Sequence, residues 1–372
     1  MPFKLLALPA PAAPNRLLSH LGHAHPGRRA LMLAGLGMAS NSHALPEKQL
    51  VFPRDFGSHP DFRTEWWYVT GYAKSGQREF GFQVTFFRSR VDATQGMKSQ
   101  FAAKQLIFAH GAVTDVQGKK LHHDQRIARE GFDIARASTK DTDVQIKDWS
   151  LKRTANGYVA QLAGNGFKIA LTLKPTQKVL LQGIDGLSQK GPEDKYASYY
   201  YSEPQLKTEG VISIGGKDLP VQGTAWLDHE WSEELLHPDV VGWDWIGMNL
   251  FDGGALTAFR LRDAKGRSFW GGGSLRAPDG RSFPFTPNAA KFSVERTWKS
   301  PLSQAVYPVE WTLRMPAELY TVKAVINNQE LDSRASTGAI YWEGLCDLFG
   351  GGGKQIGRGY LEMTGYARAL RL

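Results

Sequence analysis

Apolar and polar side chains alternate with a period of two along most of the chain. "YVAQLAG" (158–164) puts Tyr158, Ala160 and Leu162 on one side, and "KIALTLK" (168–174) does the same with Ile169, Leu171 and Leu173. "TAFRLRD" (257–263), "EWTLRMP" (310–316) and "LYTVKAVI" (319–326) repeat the pattern. Successive side chains of a strand point to opposite faces, so this period predicts half-buried β-strands. Each run is short and ends in turn chemistry, at "KSGQ", "NG", "GNG", "GGKD", "DGG", "AKG" or "PDG". "SEELLHPD" (232–239) is the best candidate for a short helix. The expectation is an all-β fold of antiparallel strands.

The chain has 372 residues. A barrel of eight to ten strands uses roughly 150 residues, so this length predicts two consecutive barrels. The expected boundaries are 45–235 and 236–372, with the junction after "DHEW" and around "LLHPDVVG". Residues 1–44 read as an address. Arg28 and Arg29 precede the apolar stretch "ALMLAGLGMA" (30–39), and "SNSHA" ends on small residues. The paired arginines suggest the twin-arginine export route with cleavage after Ala44, and hence a periplasmic or secreted bacterial protein. The apolar stretch falls short of the ~20 residues that span a bilayer.

Charge changes this picture little. The net charge of +9 includes four basic and no acidic residues in 1–44, leaving 41 − 36 = +5 for the remainder. No basic stripe or nucleic-acid module is present, so nucleic acid is not an expected partner. A single cysteine, Cys346, excludes an internal disulfide and is expected to be packed.

Candidate chemistry lies in four tryptophan stretches, "DFRTEWWYVTGY" (61–72), "GTAWLDHEWSEE" (223–234), "VGWDWIGMNL" (241–250) and "AIYWEGL" (339–345). They hold seven of the eleven tryptophans, each with an acid close by. In strand geometry Glu65, Trp67 and Val69 share a face, as do Trp226, Asp228 and Glu230, with His229 opposite; Trp243 and Trp245 share another. Such strands would line an aromatic pocket with sparse carboxylates, suited to an elongated apolar molecule. Burial among indoles raises the pKa of an acid, which can then protonate an alkene or carbonyl near neutral pH. Aromatic faces stabilise the cation that follows. Hydration, isomerisation or cyclisation of an isoprenoid-like chain fits this set, with Asp228 as proton donor and His229 or Glu65 positioning water. A second reading is a carrier that holds lipid without turnover for an ABC-type transporter. A third is purely architectural, with tryptophans filling barrel ends and acids pairing with Arg63 and Arg88.

Other signals carry less. His122-His123-Asp124 reads as a polar turn, since no second histidine or cysteine spacing completes a metal site. No G-x-S-x-G elbow exists, and "FGGGGKQ" (349–355) lacks the spacing of a phosphate loop. Neither a metal nor a cofactor is expected.

"HPDFRTEWWYVTGY", "GTAWLDHEWS", "GWDWIGMNLFDGG" and "GRGYLEMTGY" resemble the AttH/carotenoid 1,2-hydratase family of exported lipocalin-like proteins. The resemblance runs from about residue 52 to 368 and implies two consecutive lipocalin-like β-barrels. It also implies acid–base addition of water to a terminal isoprenoid double bond, although other members are cyclases or are called secreted hydrolases. Carried over by motif are Asp228, His229, Glu230, Trp226, Glu65, Trp67, Trp243 and Tyr341. The twin-arginine leader departs from the carotenoid enzymes, so the resemblance does not extend to a carotene substrate.

Overall fold

Turn residues set where the strands reverse. The hairpins expected from sequence form at Gly76, Gly157, Gly166, Gly216, Gly253, Gly266 and Gly280, each at a positive φ that glycine tolerates. The computed structural model describes residues 44–316 and 318–370, which form twenty-three strands and two single 3₁₀ turns. The paired arginines and apolar stretch of the expected export signal lie outside the described residues.

The strands make two antiparallel sheets with barrel-like curvature. The first has thirteen strands drawn from residues 64–232. Its central strands run in the order Gln105–Asp115, Arg78–Arg90, Thr64–Ser75, Lys217–Ser232 and Ala197–Ile214. Contacts of Gln105–Asp115 and Lys120–Arg129 with Asp143–Ile146 bring this sheet round on itself, and it is nearly closed. The second has ten strands from residues 240–363, centred on Ala255–Asp263, Val240–Leu250, Gln355–Met363 and Ala339–Gly350, and forms half a barrel.

Alternation decides what fills each sheet. In Thr64–Ser75 the odd residues Trp67 and Val69 face a core shared with Phe82, Val84, Trp149 and Leu171. The second sheet packs Ile246, Met248, Trp311, Trp342 and Leu361 on its own inner side. The first barrel is therefore solid with side chains. The opposite faces of the two sheets meet instead, through Tyr68, Trp226, Trp245, Phe259 and Tyr360.

The two barrel-like sheets are as expected, and two other expectations change. "SEELLHPD" is not helical: Ser232 ends a strand, Glu234 bridges to Tyr196, and Pro238 lies in a turn. Eight residues with a proline next to last are too few to nucleate a helix against strand pairing. His122, His123 and Asp124 lie within the Lys120–Arg129 strand rather than a turn. Cys346 is buried in the second core, where exclusion from water pushes its thiol well up.

Candidate functional site

Cross-strand register builds the site from two rows of side chains. On the first sheet, antiparallel partners line up His110, Thr85, Tyr68, Asp228 and Ser202 across five strands. The next row is Phe108, Phe87, Trp66, Glu230 and Tyr200. On the second sheet, Phe259, Trp245, Glu362 and Glu343 form a row across four strands. Partners in such rows lie about 5 Å apart at Cβ. Between the two sheets is a cavity of about 790 Å³, lined by residues of all three rows and by Trp243, Tyr341 and Lys190. A volume of this size suits a small, mostly apolar ligand.

Asp228 stands on the first wall. Its Oδ1 accepts from Ser202 Oγ at 2.5 Å and Trp226 Nε1 at 2.7 Å, and its Oδ2 from Tyr200 Oη at 2.7 Å. Burial pushes its pKa up to about 7, against the three hydrogen bonds that favour the charged form. Beside it, Glu230 pairs with the buried Lys190 at 2.9 Å, and Lys190 Nζ lies 4.3 Å from the Phe259 ring centroid. Glu230 balances the charge of that lysine, and the Tyr200 and Phe259 rings cover it. Trp245 closes this side. Its ring meets Tyr68 edge-on at 5.3 Å, and its Nε1 reaches Tyr200 Oη at 3.3 Å. Gly247 makes the indole's place, since a Cβ there would lie 2.4 Å from the ring.

The second wall carries two carboxyl groups directly opposite one another, Glu343 and Glu362. Like charges in facing positions repel, so such a pair retains a proton. Burial pushes Glu362 up to about 7, and the charges of Asp228 and Glu230 on the other wall add to the rise. Glu343 is held well above the carboxylate range by burial and then by Glu362. Glu343 Oε2 accepts from Gln83 Nε2 at 2.7 Å, and the same nitrogen reaches Tyr341 Oη at 3.2 Å. Tyr341 Oη is 2.8 Å from His110 Nδ1, whose other nitrogen is 2.9 Å from Ser336 Oγ. Burial lowers the His110 pKa to about 3, so its imidazole is neutral.

Glu65, His229 and Trp67 lie on the other face of the first sheet, inside its core. Glu65 is fully buried. It accepts from Ser58 Oγ at 2.8 Å, Arg88 Nε at 2.8 Å and the His59 backbone N–H at 2.9 Å. His229 Nε2 approaches Oε1 at 2.9 Å and His59 Nδ1 at 2.7 Å. Burial acts to raise the Glu65 pKa, but the hydrogen bonds and charges of His229 and His59 hold it well below the usual range. His229 itself is lowered to about 4 by burial, against the pull of Glu65. His59, Glu65 and His229 are close enough to suggest a metal site. Their separations are those of direct hydrogen bonds, and the Arg88 guanidinium occupies the carboxylate's other oxygen. Such a set holds protons, not a cation.

The structure thus divides the residues singled out from sequence. Asp228, Glu230, Trp243, Trp245 and Tyr341 meet at the cavity, and Trp226 holds Asp228 in place. His229 and Trp67 do not join them, because adjacent strand positions face opposite ways, and Glu65 borders the cavity but turns its carboxylate to His59, His229 and Arg88. Asp228 and His229 cannot form a relay across the sheet. The sequence reading misses Tyr68, Tyr200, Lys190, His110, Glu343 and Glu362. Glu343 and Glu362 carry the same aromatic–acid signal, in "YWEG" and "YLEM"; Lys190 and His110 carry none.

The AttH-like family profile matches residues 43–366. A solved AttH structure from Nitrosomonas europaea is 46% identical, with a TM-score of 0.81, over 87% of this chain and 99% of that one. Kievitone hydratase of Fusarium solani subsp. phaseoli is 20% identical over 84% of this chain and 91% of its own length. The solved kievitone hydratase of Nectria haematococca shares the fold, with a TM-score of 0.68 at 14% identity over 86% of this chain and 94% of that one.

Proposed function

This chain belongs to the AttH-like family, and on that premise we propose that it is a hydratase that adds water to a carbon–carbon double bond of a hydrophobic, isoprenoid-type substrate. The observation that carries the reading is Asp228, a carboxyl group poised near pH 7 on the aromatic wall of the cavity. The kievitone hydratase likeness points the same way. If residues 1–44 direct export, the reaction takes place in the periplasm.

Asp228 in its protonated form gives its proton to the less substituted alkene carbon. The positive charge develops on the more substituted carbon, facing the π-systems of Trp66, Tyr68 and Trp245. Water attacks that carbon and the new oxonium loses a proton to Glu362, forming a tertiary alcohol. Transfer of that proton back to Asp228, through water in the cavity, restores both groups. The net change is addition of one water, with no electron gained or lost. Neither step needs a metal or an organic cofactor. Trp243 and Phe259 exclude bulk water, which would otherwise capture the cation elsewhere.

The test is incubation of the protein with an isoprenoid-rich lipid extract in ¹⁸O-water, read by mass spectrometry. A product heavier by one labelled water, formed by the wild type and absent with Asp228→Asn, is expected. Bound lipid recovered unchanged from both proteins would defeat the hydratase reading and favour a carrier.

A pH prediction follows from the two walls. The acid must be protonated, so rate falls as pH rises above about 7; the base must be ionised, so rate falls below about 7. A narrow bell centred near pH 7 is expected in kcat/KM for the labelled-water reaction. A rate that stays flat from pH 5 to 9 would remove both carboxyls from the chemistry.

A further inference from the structure

The loop 91–104 joins Arg78–Arg90 to Gln105–Asp115, the two strands that bring Phe87 and Phe108 to the cavity. Those rings are direct cross-strand partners, and each stands three residues, about 10 Å, from the strand end that meets the loop. Their row does not stop at the cavity. Register carries it from Phe108 to Ile127 on the outermost strand, Lys120–Arg129, and exposure grows along it. Tyr200 and Glu230 are buried, Trp66, Phe87 and Phe108 are half-buried, and Ile127 is 45% exposed. Two residues further on the same face, Arg129 lays its guanidinium over the Phe132 ring at 4.1 Å and the Phe101 ring at 5.5 Å. The two rings stack with centroids 5.5 Å apart and stand 47% and 65% exposed. Met97, on the same loop, and Ile134, beside Phe132, are exposed as well. The loop is pinned in this form, with the Val91 N–H on Lys104 O at 3.0 Å and Thr94 Oγ1 on Ala103 O at 2.8 Å. Apolar side chains held together in water mark a surface that is covered in use.

We propose that this surface docks on an anionic lipid bilayer, and that the aromatic row from Ile127 to Trp66 is the path by which an apolar molecule passes from the membrane to the cavity. The inference rests on the cavity being the substrate site; it does not depend on water being added there. Charge selects the occupant. Asp92 is taken by Arg90 at 2.6 Å, which leaves Glu130 and Asp133 against Lys98, Lys104, Arg129 and Lys147 around the exposed rings. Phenyl rings flanked by long basic side chains suit the boundary between acyl chains and headgroups, where the rings are covered and the cations stay level with the phosphates. A molecule apolar enough for this cavity also partitions into a bilayer, so the same surface meets both the membrane and the ligand dissolved in it.

The test uses the full chain with Met97→Cys carrying a nitrobenzoxadiazole label; Cys346 is buried, so the new thiol is the one labelled in the folded protein. Vesicles of phosphatidylcholine and phosphatidylglycerol at roughly 7:3 should raise the emission about threefold and shift it to the blue. The same label at Asp279→Cys, in an exposed turn of the second sheet, should not respond. Phe101→Ser with Phe132→Ser should weaken vesicle binding, read from the label at 97, by about tenfold or more. Lys98→Glu with Lys104→Glu, or vesicles of phosphatidylcholine alone, should weaken it comparably. Asp228→Asn should bind vesicles as the wild type does, so failure of the hydratase reading leaves this result standing. A silent label at 97, an equal response at 279, or unchanged binding in the double serine variant would each overturn the proposal. So would a rise that needs no vesicles and grows with protein concentration, which would make the surface an interface between copies of the chain.

Discussion

Asp228→Asn is expected to lower water addition by about a thousandfold, within the range seen when a general acid is removed, and to leave the fold intact. The site accepts asparagine without strain. The amide oxygen can keep the hydrogen bonds from Ser202 and Trp226, and the amide N–H₂ can donate to Tyr200 Oη once its hydroxyl rotates. What is lost is the titrating proton. The variant also has a signature in stability that a dead but bland mutant would lack. The folded pKa of Asp228, about 7, stands above its ordinary 3.8, so the folded state holds this proton more tightly than the unfolded chain. Stability from this group is greatest below pH 3.8, falls as pH rises toward 7 and stays low beyond it, by roughly 4 kcal/mol in all. Asparagine abolishes that loss. Thermal unfolding at pH 5 and pH 8 should show the variant gaining on the wild type at the higher pH. A constant difference between them at the two pH values would mean that Asp228 does not titrate as argued.

Much of this site can be read in the sequence, within limits set by geometry. Alternation alone assigns Glu65 and Trp67 to one face and Trp226, Asp228 and Glu230 to one face, and the structure has both groupings. It does not say which face is core. Trp67 and His229 pack inward against the first barrel, whereas Trp66 and Asp228 look outward, and both strands are aromatic on both sides. A strand buried on its two faces carries no polar side to mark the solvent. Nor does alternation show that the cavity lies between the sheets, since that depends on which outer faces meet. Glu343 and Glu362 come from strands that follow Asp228 by more than a hundred residues, and only register brings them opposite each other. Lys190 shows the remaining limit. Its burial against Phe259 and Glu230 depends on two strands distant in sequence, and nothing in its own neighbourhood along the chain signals their approach.

Glu65→Gln is expected to destabilise the protein by about 3–5 kcal/mol while leaving the chemistry of the molecules that remain folded nearly unchanged. Glu65 is the acceptor at the centre of a buried polar cluster, and every group around it is a donor: the Ser58 hydroxyl, the His59 backbone N–H, Arg88 Nε and the two imidazoles. An amide replaces one of its acceptor oxygens with a donor facing these. It also leaves the Arg88 charge, at 1% exposure, without its counter-charge. Arg88 ties the cluster to the chain before the first strand, through the carbonyls of His59 and Phe62, so its loss of charge balance loosens the segment that plugs this end of the barrel. The pH dependence has the opposite sign to that of Asp228. Glu65 is held well below its ordinary 4.5, so its contribution is present above that pH and is lost as pH falls toward the folded value. Asp55 acts in the same direction, lowered to about 2 because burial is outweighed by the hydrogen bonds of His59 and the Val51 N–H together with the Lys48 charge. Chemical denaturation at pH 7 and pH 3.5 should therefore show the wild type losing part of its advantage over Glu65→Gln in acid, about 1 kcal/mol at pH 3.5. The paired replacement Glu65→Leu with Arg88→Met removes both charges together and should recover part of the loss at pH 7, since it leaves neither ion unpaired. A cost below about 1 kcal/mol for Glu65→Gln, or a thousandfold fall in turnover by its folded fraction, would return Glu65 to the chemistry. Glu65 borders the cavity, but both its oxygens are already taken by donors of the buried cluster, which argues for the structural outcome.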